Sequence, residues 1–234
     1  MDDELAYRME AKLKERESTK SENLTELLIE VIVAGTLEPG SKISEPELAK
    51  RLKVSRGPLR EALMRIEGLG LIERIPHVGA RVVKLSTQKL IEVYSVREAL
   101  EGMAARLAAR HISDDEVLSL EALLAKHSRH IDEVDGGSYF HQQGDFDFHY
   151  RVILASRNSK LISLLCDELY HLLRMYRYQS PRSQSRPIDA LNEHKLILKA
   201  IGNRDEELAE LLMRRHISDS RKLIEQRISI THND

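Results

Sequence analysis

Three histidines and one aspartate in the rear of this 234-residue chain have the residue types and spacing of a metal-ligand set. Asp145 and His149 are four residues apart, so a helix would carry the carboxylate and the imidazole on one face. His194 falls on the apolar stripe of Leu191, Leu198 and Ile201, and His216 follows Leu208 and Leu212 at four-residue steps. Each stripe points a polar ring toward a helical interior, where an unpaired polar group is costly. One carboxylate and three imidazoles suit a borderline divalent ion such as Zn²⁺ or Ni²⁺, with positions left open for water or a ligand. Spacing puts the rings on inward stripes without bringing three helices to one point. The alternative is separate core histidines, the reading that fits His127 on its stripe with Leu120, Leu124 and Ile131. Arg97 lies on the inward edge of the stripe Val93, Leu100 and Ala104, where a buried guanidinium needs an anion. Glu101, one turn on, can supply it; so can a carboxylate effector gripped between Arg97 and the metal. Arg174, in Leu172-Leu173-Arg174-Met175-Tyr176, is a second effector candidate.

A different chemistry is concentrated earlier in the chain. The whole protein has a net charge of −2, yet the segment from Gly40 to Leu85 has an excess of about five positive charges, the signature of a polyanion-binding module. Arg56 and Arg60 are one helical turn apart, and arginine forks to guanine in the major groove. They are the candidate base readers. Arg51, Ser55 and Arg65 are placed to hold phosphates, Gly57 to admit a phosphate closely, and His77 with Gly79 to form a wing tip. The run Gly35-Thr36-Leu37-Glu38-Pro39-Gly40-Ser41-Lys42 imitates a phosphate-binding loop, but its last two residues are reversed and a helix precedes it.

The elements that must position these residues follow from pattern. Leu24, Leu27, Leu28, Val31 and Ile32 repeat at helical spacing after Ser21, a candidate cap, and Gly35 ends that helix. A short helix over Glu45–Leu52 and a break at Lys53-Val54-Ser55 lead to a third helix, Arg56–Leu69, with Ser55 as N-cap and Pro58 in its first turn. Leu71–Ile75 and Ala80–Val83 read as strands joined across Pro76-His77-Val78-Gly79. Three helices and a hairpin in that order make a winged helix-turn-helix. Beyond Thr87 the pattern is helical throughout, with a capping box at Ser113-Asp114-Asp115-Glu116, further helices near 139–156, 158–178, 187–201 and 205–228, and one Ser/Pro-rich loop over Ser180–Pro187. The fold expected is mostly α: a tail over 1–20, a winged helix-turn-helix over 21–85, and an antiparallel all-helical bundle over 86–234. Apolar residues make up 41% of the chain, enough for a core, and aromatics only 4%, which disfavours a β-sandwich. A single cysteine, Cys166, excludes an internal disulfide framework, and the acidic start and the lack of a long apolar run point to a cytoplasmic protein with no membrane role.

The run Val54-Ser55-Arg56-Gly57-Pro58-Leu59-Arg60-Glu61-Ala62-Leu63, followed by Gly79-Ala80-Arg81-Val82, resembles the DNA-binding domain of GntR-family transcription regulators. Gly57 stands where members usually have Thr or Ser. Asp145-Phe146-Asp147-Phe148-His149, Glu193-His194 and Met213-Arg214-Arg215-His216 resemble, in order, the motifs of the FadR-type C-terminal ligand domain. The resemblance covers roughly residues 22–228. It implies a homodimeric regulator, most simply a repressor, on a near-palindromic operator. It further implies a metal on Asp145, His149, His194 and His216, and a small organic acid as effector. The segments Gly144–Tyr150 and Arg174–Arg177 also resemble regulators of propionate breakdown through the methylcitrate cycle, implying 2-methylcitrate or a related di- or tricarboxylate. Two rival readings of the same ligands are a helical metalloenzyme acting on a carboxylate and a metal sensor.

Overall fold

The computed structural model describes residues 20–84, 86–133, 144–179 and 187–231. The expected tail and the Ser/Pro-rich loop fall outside these residues, apart from Lys20 and Pro187. The described chain divides into two compact units. One holds residues up to 84 together with 168–179; the other holds residues 86–167 and those from 187 onward.

In the first unit, α1 (Lys20–Val33), α2 (Glu45–Arg51) and α3 (Arg56–Gly68) precede the antiparallel strands β1 (Ile72–Ile75) and β2 (Gly79–Val82). Ser21 lies inside α1 rather than capping it. The register pairs Ile72 with Val82 and Ile75 with Gly79. A third, short edge is missed by the sequence reading, which treats Glu38-Pro39-Gly40 as a turn alone. The Ile43 amide donates to the Ala80 carbonyl at 2.8 Å, and the Val82 amide to the Ser41 carbonyl at 3.0 Å, so residues 40–43 flank β2. Leu59, Ala62, Leu63 and Ile66 of α3 are wholly buried against Leu24, Leu28 and Ile32 of α1 and Leu71, Ile72 and Val82 of the hairpin.

The second unit contains α4 (Thr87–His111), α5 (Asp114–Glu133), α6 (Gly144–Ala155), the short α7 (Ser159–Ile162), α9 (Pro187–Gly202) and α10 (Glu206–Thr231). The Glu116 amide donates to Ser113 Oγ at 3.2 Å while the Ser113 amide donates to the Glu116 carboxylate at 2.9 Å, which completes the capping box at the head of α5. α4 and α10 lie antiparallel. Arg106 pairs with Glu210 at 3.1 Å near one end and Arg221 with Glu98 at 3.6 Å near the other. The small buried face Ala104, Ala105, Ala108 and Ala109 lets neighbouring helices approach α4 closely. Gly102 belongs to the same seam, because a Cβ there would meet Arg214 Cγ at 2.5 Å.

The single helix expected over 158–178 is instead three pieces. A wide turn, Ser163–Glu168, interrupts it between α7 and α8 (Leu169–Gln179). α8 packs on α1 and belongs to the first unit. Met175 is wholly buried in that unit's core, Leu172 packs against it, and Arg174 forks onto both oxygens of Glu30 at 2.8 and 3.0 Å. The bundle expected over 86–234 therefore lacks one of its helices. Among the described residues, no helix is long and apolar enough to cross a membrane.

Because Leu63 has no exposure and sits in the core cluster of the first unit, Leu63→Ala should lower the stability of that unit by about 2–5 kcal/mol. Urea unfolding followed by circular dichroism checks this, and the transition of the second unit should stay in place.

Candidate functional site

The inward stripes read from the sequence do converge. His149 from α6, His194 from α9 and His216 from α10 are buried, and their Nε2 atoms face one another: 3.2 Å from His194 to His216 and 3.2 Å from His216 to His149. One ligand atom from each lies within 4.8 Å of the others. The Phe148 ring stacks on His194 with centroids 4.3 Å apart, fixing that ring's plane. Asp145 lies one turn before His149 on α6, and its side chain is outside the described ones.

Two carboxylates stand behind the rings, on the side away from the centre. His149 Nδ1–H donates to Glu101 Oε2 at 2.6 Å, and His216 Nδ1–H donates to Glu193 Oε2 at 2.7 Å. Glu101 is itself buried, and its other oxygen accepts from Arg97 Nε at 2.6 Å. Burial pushes the Glu101 carboxyl up, but Arg97 and His149 more than offset this and hold it at about 2. An ionised carboxylate accepting from Nδ1–H selects the tautomer whose Nε2 carries a lone pair. His149 and His216 thus turn lone pairs toward one another at 3.2 Å, where only a shared proton or a cation relieves the repulsion. Nitrogens each about 2.0–2.1 Å from a common ion, at octahedral to tetrahedral angles, stand about 2.9–3.4 Å apart. The observed spacing matches that requirement. Cys166 does not belong to this cluster, and burial, with Asp167 and Glu101, pushes its thiol up to about 12.

The arginines assigned to an effector are placed differently. Arg97, 2% exposed, gives its Nε to Glu101, the partner that the sequence offers as the alternative. It also lies over the Tyr94 ring at 4.9 Å. Arg174 lies in the first unit, where its fork is taken by both oxygens of Glu30. Glu101 and Glu193 are the residues that sequence reasoning misses as site components. Glu101 enters that reading only as a partner for Arg97. Glu193 points about 100° from its neighbour His194 on α9, and that phase is what carries it to His216 on α10.

The first unit presents a second chemistry. α2, a turn with Lys53 at φ 51°, and α3 form the helix-turn-helix. Ser55 occupies the N-cap position of α3 with extended backbone, but its side chain makes no capping bond, so the hydroxyl faces outward instead. Arg51, Arg56 and Arg65 are exposed, and a Cβ added at Gly57 would meet nothing within 4 Å. Arg60 is not an isolated charge. Its Nε donates to Glu45 Oε2 at 3.0 Å, and Glu45 is shared with Arg74, which in turn pairs with Glu67 at 2.8 Å. The bond from Arg60, opposed by slight burial and joined by Arg74, holds the Glu45 carboxyl below its ordinary value. With Arg60 64% exposed, the pair is a surface ion pair worth little, and a phosphate or base can displace the carboxylate. His77, at φ 63°, and Gly79, at φ 97°, form the exposed tip of the hairpin.

Comparison with known proteins accounts for both units. Residues 20–82 match the family described as bacterial regulatory proteins, gntR family, and residues 92–219 match the FCD domain. The chain is 32% identical over 207 residues to a protein of Paenarthrobacter nicotinovorans named "Probable D-xylose utilization operon transcriptional repressor", covering 86% of this chain and 87% of that one. It is 32% identical to the Nta operon transcriptional regulator of Aminobacter aminovorans, over 76% and 82% of the two chains. Among solved structures, E. coli McbR/YncC has the same fold, with a TM-score of 0.69 at 20% identity over 90% of this chain and 99% of that one. The relatives are regulators, and the metalloenzyme alternative falls with them. A helix-turn-helix with its wing is followed by a helical unit, each matched by its own domain family, and the chain belongs to the GntR family of transcription regulators, with a C-terminal FCD domain.

Proposed function

We propose that this regulator binds a near-palindromic operator as a cytoplasmic homodimer, and that a small organic acid bound at a divalent-metal site in the FCD domain controls that binding. The observation that carries the reading is the convergence of three buried Nε2 atoms with carboxylates fixed behind two of the rings. His149, His194 and His216 would hold the ion, with Asp145 as the fourth ligand on the face of His149. Zn²⁺ or Ni²⁺ suits that donor set. An ion there would supply open coordination positions to a carboxylate oxygen. Glu101 and Glu193 orient the imidazoles, and Arg97 keeps Glu101 ionised in a buried setting. The effector is a di- or tricarboxylate, with 2-methylcitrate and citrate as the first compounds to try. An acid that binds one arrangement of the dimer better than the other shifts operator affinity by that difference.

On DNA, α3 is the groove helix. Arg56 and Arg60 read bases, Arg51, Ser55 and Arg65 hold phosphates with Gly57 admitting the backbone closely, and His77 and Gly79 bring the wing to the strand. A two-fold dimer places two such units on half-sites. The exposed apolar row Val96, Ala99 and Met103 on α4 is the face we assign to the isologous contact of such a dimer.

Chelation of the metal-loaded protein should lower its melting temperature, because a ligand at 100 times its Kd adds about 2.7 kcal/mol of stability, on the order of 5–10 °C for a chain of this size. His194→Ala should show no such response to added Zn²⁺ or Ni²⁺; a variant that still responds would remove the site. Carboxylates added to the loaded protein should raise the melting temperature further and change operator affinity, whereas operator affinity that changes with metal and no carboxylate would make the protein a metal sensor.

Glu101→Gln keeps the shape of the side chain and removes its charge, and should weaken metal binding about 10- to 100-fold in chelator competition. Arg60→Ala should weaken operator binding and relax selectivity at one base pair per half-site by about 1–3 kcal/mol. Fluorescence anisotropy against single-base operator variants measures it, and binding by the parent should fall steeply with salt.

A further inference from the structure

The outermost line of α3 carries a residue that neither the arginines nor the wing accounts for. Leu59, Ala62, Leu63 and Ile66 make the wholly buried side of the helix. Opposite them, at spacings of four, three and four, run Gly57, Glu61, Met64 and Gly68. Arg60 flanks this line on one side and Arg65 on the other. A Cβ added at Gly57 or Gly68 meets nothing within 4 Å, so both ends of the line are bare and open. Met64 stands between them as the one large apolar side chain of the line, 64% exposed. Among the described residues it is the most exposed large hydrophobic side chain. Among the described residues of the first unit the next is Ile75, far less bared at 36%, and that lies on the wing.

Within its unit, Met64 gains nothing from that position, since the core it could join lies on the far side of the helix. A helix in the major groove meets donors, acceptors and one apolar group, the 5-methyl of thymine. An unbranched thioether is long and adaptable enough to cover such a methyl, and the bare glycine positions on either side let it reach deeper than its neighbours. We infer that Met64 is a specificity-determining residue that packs on a thymine 5-methyl group in each half-site, adding to the guanine preference of the arginines a preference they cannot supply. This rests on α3 being the groove helix, as proposed above.

The test removes single methyl groups from the DNA. An operator is selected from a random duplex pool with the full-length protein, and each thymine is then replaced by uracil, one position at a time. Affinities are measured for the parent and for Met64→Ala, whose exposed position leaves the fold intact by circular dichroism. One thymine per half-site should weaken parent binding about three- to tenfold when its methyl is lost, while Met64→Ala is indifferent to the same replacement. An enriched operator in which no thymine distinguishes parent from variant overturns this inference alone. A pool that enriches no sequence overturns the DNA-reading role of α3, and this inference with it.

Discussion

Inside the helical unit, imidazole nitrogens face one another across 3.2 Å with no room to turn away. Two of the rings are pinned from behind by carboxylates at 2.6 and 2.7 Å, and a third is stacked on Phe148. Lone pairs gathered in this way repel, and burial removes the water that would otherwise screen them. A proton or a cation lying between the nitrogens relieves that repulsion. The carboxylates then have a structural reason. Glu101 could not remain ionised in such a dry setting without Arg97, so the buried pair and the ring it steers form one connected device.

Outside, the charges are managed in the opposite manner. Glu45 takes Arg60 and Arg74, and Glu67 takes Arg74, so the cations near α3 are held in place by exposed pairs. In high dielectric such pairs contribute little and exchange readily for a stronger anion. They keep a basic surface ordered before a partner arrives without adding a large cost to its arrival. The inner cluster is strongly pinned and the outer charges are loosely held.

Much of this was legible in the residues. The core stripe of α3, the order of helices and hairpin and the capping box at Ser113 are local patterns, and local patterns survive folding. His194 and His216 were legible as inward-facing because each shares a stripe with leucines, and His149 through its pairing with Asp145 one turn before it. What periodicity does not carry is the relation between helices. Glu193 faces away from His194 on α9 and for that reason reaches His216 on α10, a contact visible only once the helices are side by side. Arg174 has the sequence neighbourhood of a pocket residue, yet its partner is 144 positions away. The edge formed by residues 40–43 was hidden because Pro39 and Gly40 signal a turn more strongly than Ile43 signals a strand.

The placement of α8 bears on how such regulators are built. Its sequence neighbours belong to the helical unit, but Met175 and Leu172 complete the core beneath α1, and Arg174 is fastened to Glu30. The DNA-reading head is therefore not a cassette that ends where the wing ends. A gene fusion that transplanted residues 20–84 alone would carry an uncovered apolar flank into its new host. A transplanted head would need a substitute for the eleven residues of α8 to close that flank.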